Sequence, residues 1–206
     1  MKKGDEVVCL SLTYGSTKKI LKAACERTGA TLIIVEVSLP VTSPHDVISR
    51  LQSVLGGATK LVVLDQVTSN TAMVLPIADL SLISREVGAT VVVDAAHALF
   101  SQDCSMYTAN QRVHSTRLLS LLSLKGDNNS QTQSGNSQDS STSKMVSIAD
   151  IADVWITNAH KWMCSPKGCA FMWVSPSMSQ TLQPSIISHG YIPQELSPVT
   201  DDNVSV

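Results

Sequence analysis

KLVVLD (60–65) and ATVVVD (89–94) are the two stretches on which the fold of this chain turns. Each is a short run of β-branched and aliphatic residues closed by an aspartate, with no polar face. Strands of a parallel sheet read this way, because helices cover both of its faces. Between the two runs, residues 77–87 carry apolar side chains at helical spacing and stop at Gly88. Upstream, TLIIVEV (31–37) reads as a further buried strand and Val7-Val8-Cys9-Leu10 as a shorter one. Residues 16–27 place Ile20, Leu21, Ala24 and Cys25 on one helical face, and Gly29 marks the stop. Ser43-Pro44 supplies an N-cap and a first helical position. The stripe Val47, Ile48, Leu51, Val54 and Leu55 follows, ended by Gly56-Gly57. Strand and helix thus alternate roughly every 30 residues, the pattern of an α/β fold: a mainly parallel sheet with helices on both faces.

Past residue 101 the pattern breaks. Residues 118–124 could form a short helix, but GDNNSQTQSGNSQDSSTSK (126–144) is polar low-complexity sequence with nothing to bury, expected to be a disordered surface insertion. Order is expected to resume with a helical turn at 148–153 and a strand at 154–157. Asn158-Ala159-His160-Lys161-Trp162 comes next, then a Pro166-Lys167-Gly168 turn and a strand at 169–174. The chain is therefore divided into residues 1–101, an insertion over 102–147, a second ordered part over 148–178 and a tail over 179–206.

Composition narrows the function classes. The 206 residues are 43% hydrophobic and 16% charged, with a formal charge of −2, which gives no electrostatic reason to expect nucleic acid or an anionic membrane. No apolar run nears the ~20 residues of a membrane span. Cys9, Cys25, Cys104, Cys164 and Cys169 form an odd set without CxxC spacing, which fits reduced thiols in a cytoplasmic setting better than disulfides or zinc. Cys164 reads as a packed thiol.

Ligands of parallel α/β sheets gather beyond the carboxyl ends of the strands. Three such ends carry polar residues: Gln66-Val67-Thr68-Ser69-Asn70, Asp94-Ala95-Ala96-His97 and Asn158-Ala159-His160-Lys161. Singly, each has a plain structural reading: an aspartate caps the next segment, a lysine reaches water, a histidine packs. Together, an aspartate at one strand end and a lysine at another suit pyridoxal phosphate. That cofactor is held on a lysine amine and needs its ring nitrogen protonated, which a facing carboxylate favours. A Ser-His-Asp hydrolase lacks support, since there is no GxSxG and Asp94 and His97 lie three residues apart.

VVVDAAHALF (91–100) and DVWITNAHKWMCSPKGCAFMWV (153–174) resemble the two signature segments of class V aminotransferases, a branch of the fold type I pyridoxal-phosphate enzymes. LDQVTSNTAMVLPI (64–77) and residues 4–30 resemble earlier parts of the same family, and the likeness is nearest the branch of isopenicillin N epimerase and the cysteine desulfhydrases. The resemblance implies that Lys161 forms the internal aldimine and that Asp94 pairs with the pyridine nitrogen. It places His97 against the ring hydroxyl or substrate, His160 at a phosphate-contacting position, Thr68 and Ser69 near the ring hydroxyl, and Tyr14 as the stacking aromatic. No metal is implied.

Members also carry a preceding stretch with the phosphate-binding loop and a C-terminal small domain, so the chain resembles part of the large domain. The expected function is a pyridoxal-phosphate-dependent enzyme acting on an α-amino acid by transamination, epimerisation or β-elimination; the alternative is a catalytically incomplete remnant of one. A small-molecule substrate and a homodimer are the implied partners.

Overall fold

The computed structural model describes residues 1–99 and 147–182, together with the backbone pairing of Cys104–Ser105 and Thr108–Ala109. The helix expected at 118–124, the low-complexity stretch at 126–144 and the tail beyond 182 lie outside the described residues.

The elements follow in order as β1 (Glu6–Leu10), α1 (Gly15–Thr28), β2 (Thr31–Val35), α2 (Pro44–Gln52), β3 (Thr59–Asp65), α3 (Ile77–Glu86) and β4 (Thr90–Asp94). After them come a two-residue hairpin, β5 (Cys104–Ser105) and β6 (Thr108–Ala109), then α4 (Ile148–Ile151), β7 (Val154–Asn158), α5 (Ala159–Trp162), β8 (Ala170–Val174) and α6 (Pro176–Ser179). Six strands make one sheet in the order β2-β1-β3-β4-β7-β8. All neighbours are parallel except β7 and β8. Among the described residues no helix is long and apolar enough to cross a membrane.

Local chemistry explains the element ends. Gly29 takes the left-handed conformation (φ 74°) that a helix C-terminus favours, and its N–H returns to the Cys25 carbonyl at 2.8 Å. Ser43 and Asp46 form a capping box at the start of α2, with the Ser43 N–H donating to Asp46 Oδ2 at 3.0 Å. That helix closes at Ser53, so Val54 and Leu55 fall past its end rather than on its stripe.

The two sheet faces are covered unequally. On one face Val8, Leu10, Val62, Leu64, Val91 and Val93 pack against α2, α3 and α4, which contribute Val47, Leu51, Ile77, Leu80 and Ile151. On the other, among the described residues, Val7, Cys9 and Val63 pack against Leu21 and Cys25 of α1, with Ala30, Leu32, Leu61 and Val92 at the margin. Beyond the reach of α1, Ile34, Ile156 and Met172 stand 43%, 39% and 57% exposed. The expectation that residues 31–37 form a buried strand is corrected here. Among the described residues β2 is an edge strand that pairs with β1 alone, and one of its five side chains is buried. Cys164 is likewise exposed, not packed.

Polar ties fix β7 beside β4. Arg85 of α3 reaches Asp153 Oδ1 at 2.6 Å, while Asp153 Oδ2 accepts the Val91 N–H at 2.8 Å. The fully buried Trp155 donates from Nε1 to Gln66 Oε1 at 2.9 Å, and Thr157 donates to the Ala95 carbonyl at 2.9 Å. Removing one partner of such a buried contact costs about 1–3 kcal/mol. Trp155→Phe should therefore lower the urea midpoint by about that much stability at an unchanged m-value. A midpoint equal to wild type would show that the Trp155–Gln66 bond contributes nothing.

Candidate active site

The order β2-β1-β3-β4 reverses the direction of chain progression at β1, which makes the gap between β1 and β3 the switch point where α/β sheets bind ligands. A cavity of about 400 Å³ opens there and extends across the carboxyl ends of β3, β4 and β7. That volume lies within the range of small-molecule sites. Its apolar wall is the thinly covered sheet face, with Leu61, Val63, Val92 and Ile156, and Leu21 of α1. Its polar groups come from four segments of the chain.

Parallel register supplies the acids. Asp65 and Asp94 are Cα partners at the ends of β3 and β4, so their side chains fall on the same face. Asp94 is half-buried; its Oδ1 accepts the Ala96 N–H at 3.0 Å and its Oδ2 lies 3.5 Å from the Thr17 hydroxyl. Asp65 is 3% exposed, and its Oδ1 accepts the Tyr14 N–H at 3.3 Å. Its Oδ2 is buried with no hydrogen-bond partner among the described residues. Burial pushes the Asp65 carboxyl above its ordinary value, and the Asp94 charge adds to this.

The amine comes from the last strand crossing. Lys161 sits in α5, the single helical turn that β7 feeds directly, and its Nζ is 3.1 Å from His97 Nε2. His97 also meets the Trp162 ring edge-on, with centroids 6.3 Å apart. Burial first, then the Lys161 ammonium, holds His97 below the usual imidazole value, against the opposing pull of Asp94. A neutral His97 can accept a proton of Lys161 at Nε2. Cys9, under α1, is no nucleophile, since burial raises its thiol to about 11.

Of the residues singled out in the sequence, Lys161, Asp94, His97, Ser69 and Tyr14 all line this cavity. Thr68 and His160 do not. Thr68 is 1% exposed and closes the turn after β3, sharing a hydrogen bond with Thr71 at 2.6 Å and accepting the Met73 N–H at 2.8 Å. The His160 ring bonds through Nδ1 to the Cys169 carbonyl at 2.9 Å, at the base of the turn into β8. Sequence reasoning passed over Asp65, Thr17 and Thr157, which also line the cavity. Asp65 did carry a signal, because it ends an apolar strand just as Asp94 does.

The class-V aminotransferase family model matches residues 1–111. An L-cysteine desulfhydrase of Arabidopsis thaliana is 26% identical over 199 residues, covering 92% of this chain and 35% of its own. Isopenicillin N epimerase of Streptomyces clavuligerus is 23% identical over 154 residues, covering 75% of this chain and 28% of its own. The chain spans about a third of the length of the curated relatives it matches. Among solved structures, a variant of the enzyme C-DES with glycine covalently linked to its PLP cofactor superposes with a TM-score of 0.64 at 19% identity. It covers 91% of this chain and 39% of its own. The apo cysteine desulfurase of Thermococcus onnurineus NA1 superposes with a TM-score of 0.62 at 17% identity, covering 94% and 37%. At these identities the superpositions establish the fold.

The 3.1 Å contact between Lys161 and His97 makes a direct prediction. Lys161→Met removes the positive charge, so the His97 titration midpoint, followed by imidazole NMR, should move up toward the ordinary histidine value. With its folded value depressed, His97 contributes stability that is present above the unfolded histidine value, ~6.5, and lost as pH falls through the folded one. An unmoved midpoint would mean that the two groups do not meet in solution.

Proposed function

The chain belongs to the class-V aminotransferase family, and from that premise we propose that its cavity is a pyridoxal-phosphate site serving chemistry on an α-amino acid. One observation carries the reading: an amine, Lys161 Nζ, and a carboxylate, Asp94, from segments far apart in sequence line one cavity whose remaining wall is mostly apolar. The donor set suits the cofactor. Lys161 is the amine that would hold it covalently, and Asp94 is the carboxylate that would face its ring nitrogen. When bound, pyridoxal phosphate supplies an electron sink for charge developing at the substrate's α-carbon.

The chain's own groups divide the remaining work. Asp94, oriented by the Ala96 N–H and approached by the Thr17 hydroxyl, is placed as a carboxylate that would favour the protonated form of a facing ring nitrogen. Lys161 and His97 form a proton-passing pair between Nζ and Nε2. Trp162, edge-on to His97, limits the turning of the imidazole. Val63, Val92 and Ile156 keep one side of the cavity dry, which strengthens the charge interactions within it. Relatives named as L-cysteine desulfhydrases make L-cysteine the amino acid to try first.

Purified protein mixed with pyridoxal phosphate should gain a visible absorbance band, and borohydride should then fix the cofactor to the peptide containing Lys161, read by mass spectrometry. Lys161→Ala should abolish the labelling. Asp94→Asn should weaken affinity roughly 10- to 100-fold, the worth of a charge-assisted hydrogen bond. A folded sample that takes up no cofactor, or labelling that persists without Lys161, would refute the reading.

A further inference from the structure

Among the described residues, Asp65 is the one acid of the cavity wall that the cofactor reading leaves without a task. It is more deeply buried than Asp94, 3% exposed against a half-buried neighbour, and the two are register partners on adjacent parallel strands. Such strands lie about 4.8 Å apart, so two ionised carboxylates here would repel strongly in a dry setting. Their surroundings differ in a way that settles which one is provided for as an anion. Asp94 has the Ala96 N–H on one oxygen and the Thr17 hydroxyl near the other. Asp65 has a single N–H, from Tyr14, on Oδ1, while Oδ2 is buried and without a partner among the described residues.

Other groups near Asp65 do not change this. From β1 it faces Cys9, a buried thiol that stays protonated. From the α1 side it faces the Thr13 hydroxyl and Lys18, both of which favour its ionised form. The Lys18 ammonium, however, is already donating to the Ser11 carbonyl at 2.6 Å. The Thr13 hydroxyl is buried and has no hydrogen-bond partner among the described residues. The cavity's cation, Lys161, is paired with His97 beyond Asp94.

We propose that Asp65 and Asp94 act as one acid–anion pair: Asp94 carries the charge offered to the ring nitrogen, and Asp65 remains a neutral acid holding its proton at Oδ2. Asp65 is thus a positioning residue. It keeps the net charge at the cavity floor at a single unit and leaves Asp94 free of a competing anion. The ring nitrogen in this statement rests on the proposed function; the pair itself rests on the chain's own geometry and is tested without cofactor.

The test follows the aspartate carboxyl carbons by ¹³C NMR in the cofactor-free protein, with Asp65→Asn identifying the Asp65 signal. Asp65 should titrate above the ordinary aspartate value of ~3.9, and Asp94→Asn should lower its midpoint. A midpoint at or below the ordinary value, or one that Asp94→Asn leaves in place, overturns the pair. Stability gives a second readout. A carboxyl with a raised folded value contributes stability that is fully present below the unfolded value and is lost as pH rises through the folded one. The melting temperature of Asp65→Asn should therefore gain on wild type as pH rises from about 3 toward neutrality. The opposite trend would make Asp65 a stabilised anion and defeat the proposal.

Affinity for pyridoxal phosphate supplies the functional arm. Asp65→Asn, which keeps the pair at a single negative charge in the same shape, should hold affinity within about threefold of wild type, whereas Asp94→Asn should lose roughly 10- to 100-fold. A loss in Asp65→Asn as large as that in Asp94→Asn overturns the role at the cofactor. If the wild type itself takes up no cofactor, the functional reading falls, while the carboxyl titration still decides the pair.

Discussion

The candidate site depends on the parallel pairing of β4 with β7, in which Val92, Val93 and Asp94 lie opposite Val154, Trp155 and Ile156. These strands are far apart in sequence, so the pairing has no short connection to enforce it. Buried or half-buried polar contacts do so instead. Trp155 reaches Gln66 at the end of β3, Thr157 reaches the Ala95 carbonyl just past Asp94, and Asp153 is shared between Arg85 and the Val91 N–H. A one-residue slip would place every β7 side chain on the wrong face and break these contacts together. Held in this register, β7 delivers Lys161 to the same cavity as Asp94 and His97.

The cavity lies on the less protected face of the sheet, and the imbalance has a simple origin. Among the described residues, three helices pack on one face, whereas α1 is the helix on the other, over β1 and β3. Beyond the edge of α1, the face of β4 and β7 is left as an apolar wall, and the strand ends above it carry the charged groups. A dry wall beside a few oriented polar groups is what a small organic ligand needs. The same wall raises the cost of a second unpaired charge beside Asp94.

Much of this arrangement is legible in the amino-acid sequence. The valine-rich runs and the helical stripes locate each strand and helix of the first hundred residues to within a few positions, because period and end signals are local properties. The strand-end residues Asp94, His97 and Lys161 stand out for the same reason. Other readings fail where the answer depends on neighbours. Residues 31–35 have the composition of a buried strand and form an edge, since nothing in that stretch shows which side of β1 will be left unpaired. Val54 and Leu55 continue a helical stripe that the backbone abandons at Ser53. Within the described residues the Thr68 hydroxyl also closes the turn after β3 and the His160 ring also meets the Cys169 carbonyl, contacts that no short window of sequence shows.

Local letters by themselves determined an alternating α/β chain with an acid and an amine placed at strand ends, because hydrophobic period, capping residues and β-branched runs are written within short windows of sequence. Tertiary structure alone decided that Asp65 and Asp94 lie side by side, that Thr17 approaches Asp94 and that Lys161 meets His97. Those contacts join residues from 29 to 77 positions apart. Strand order and register set such distances, and both are chosen by the packing of the whole sheet rather than by any one segment of it.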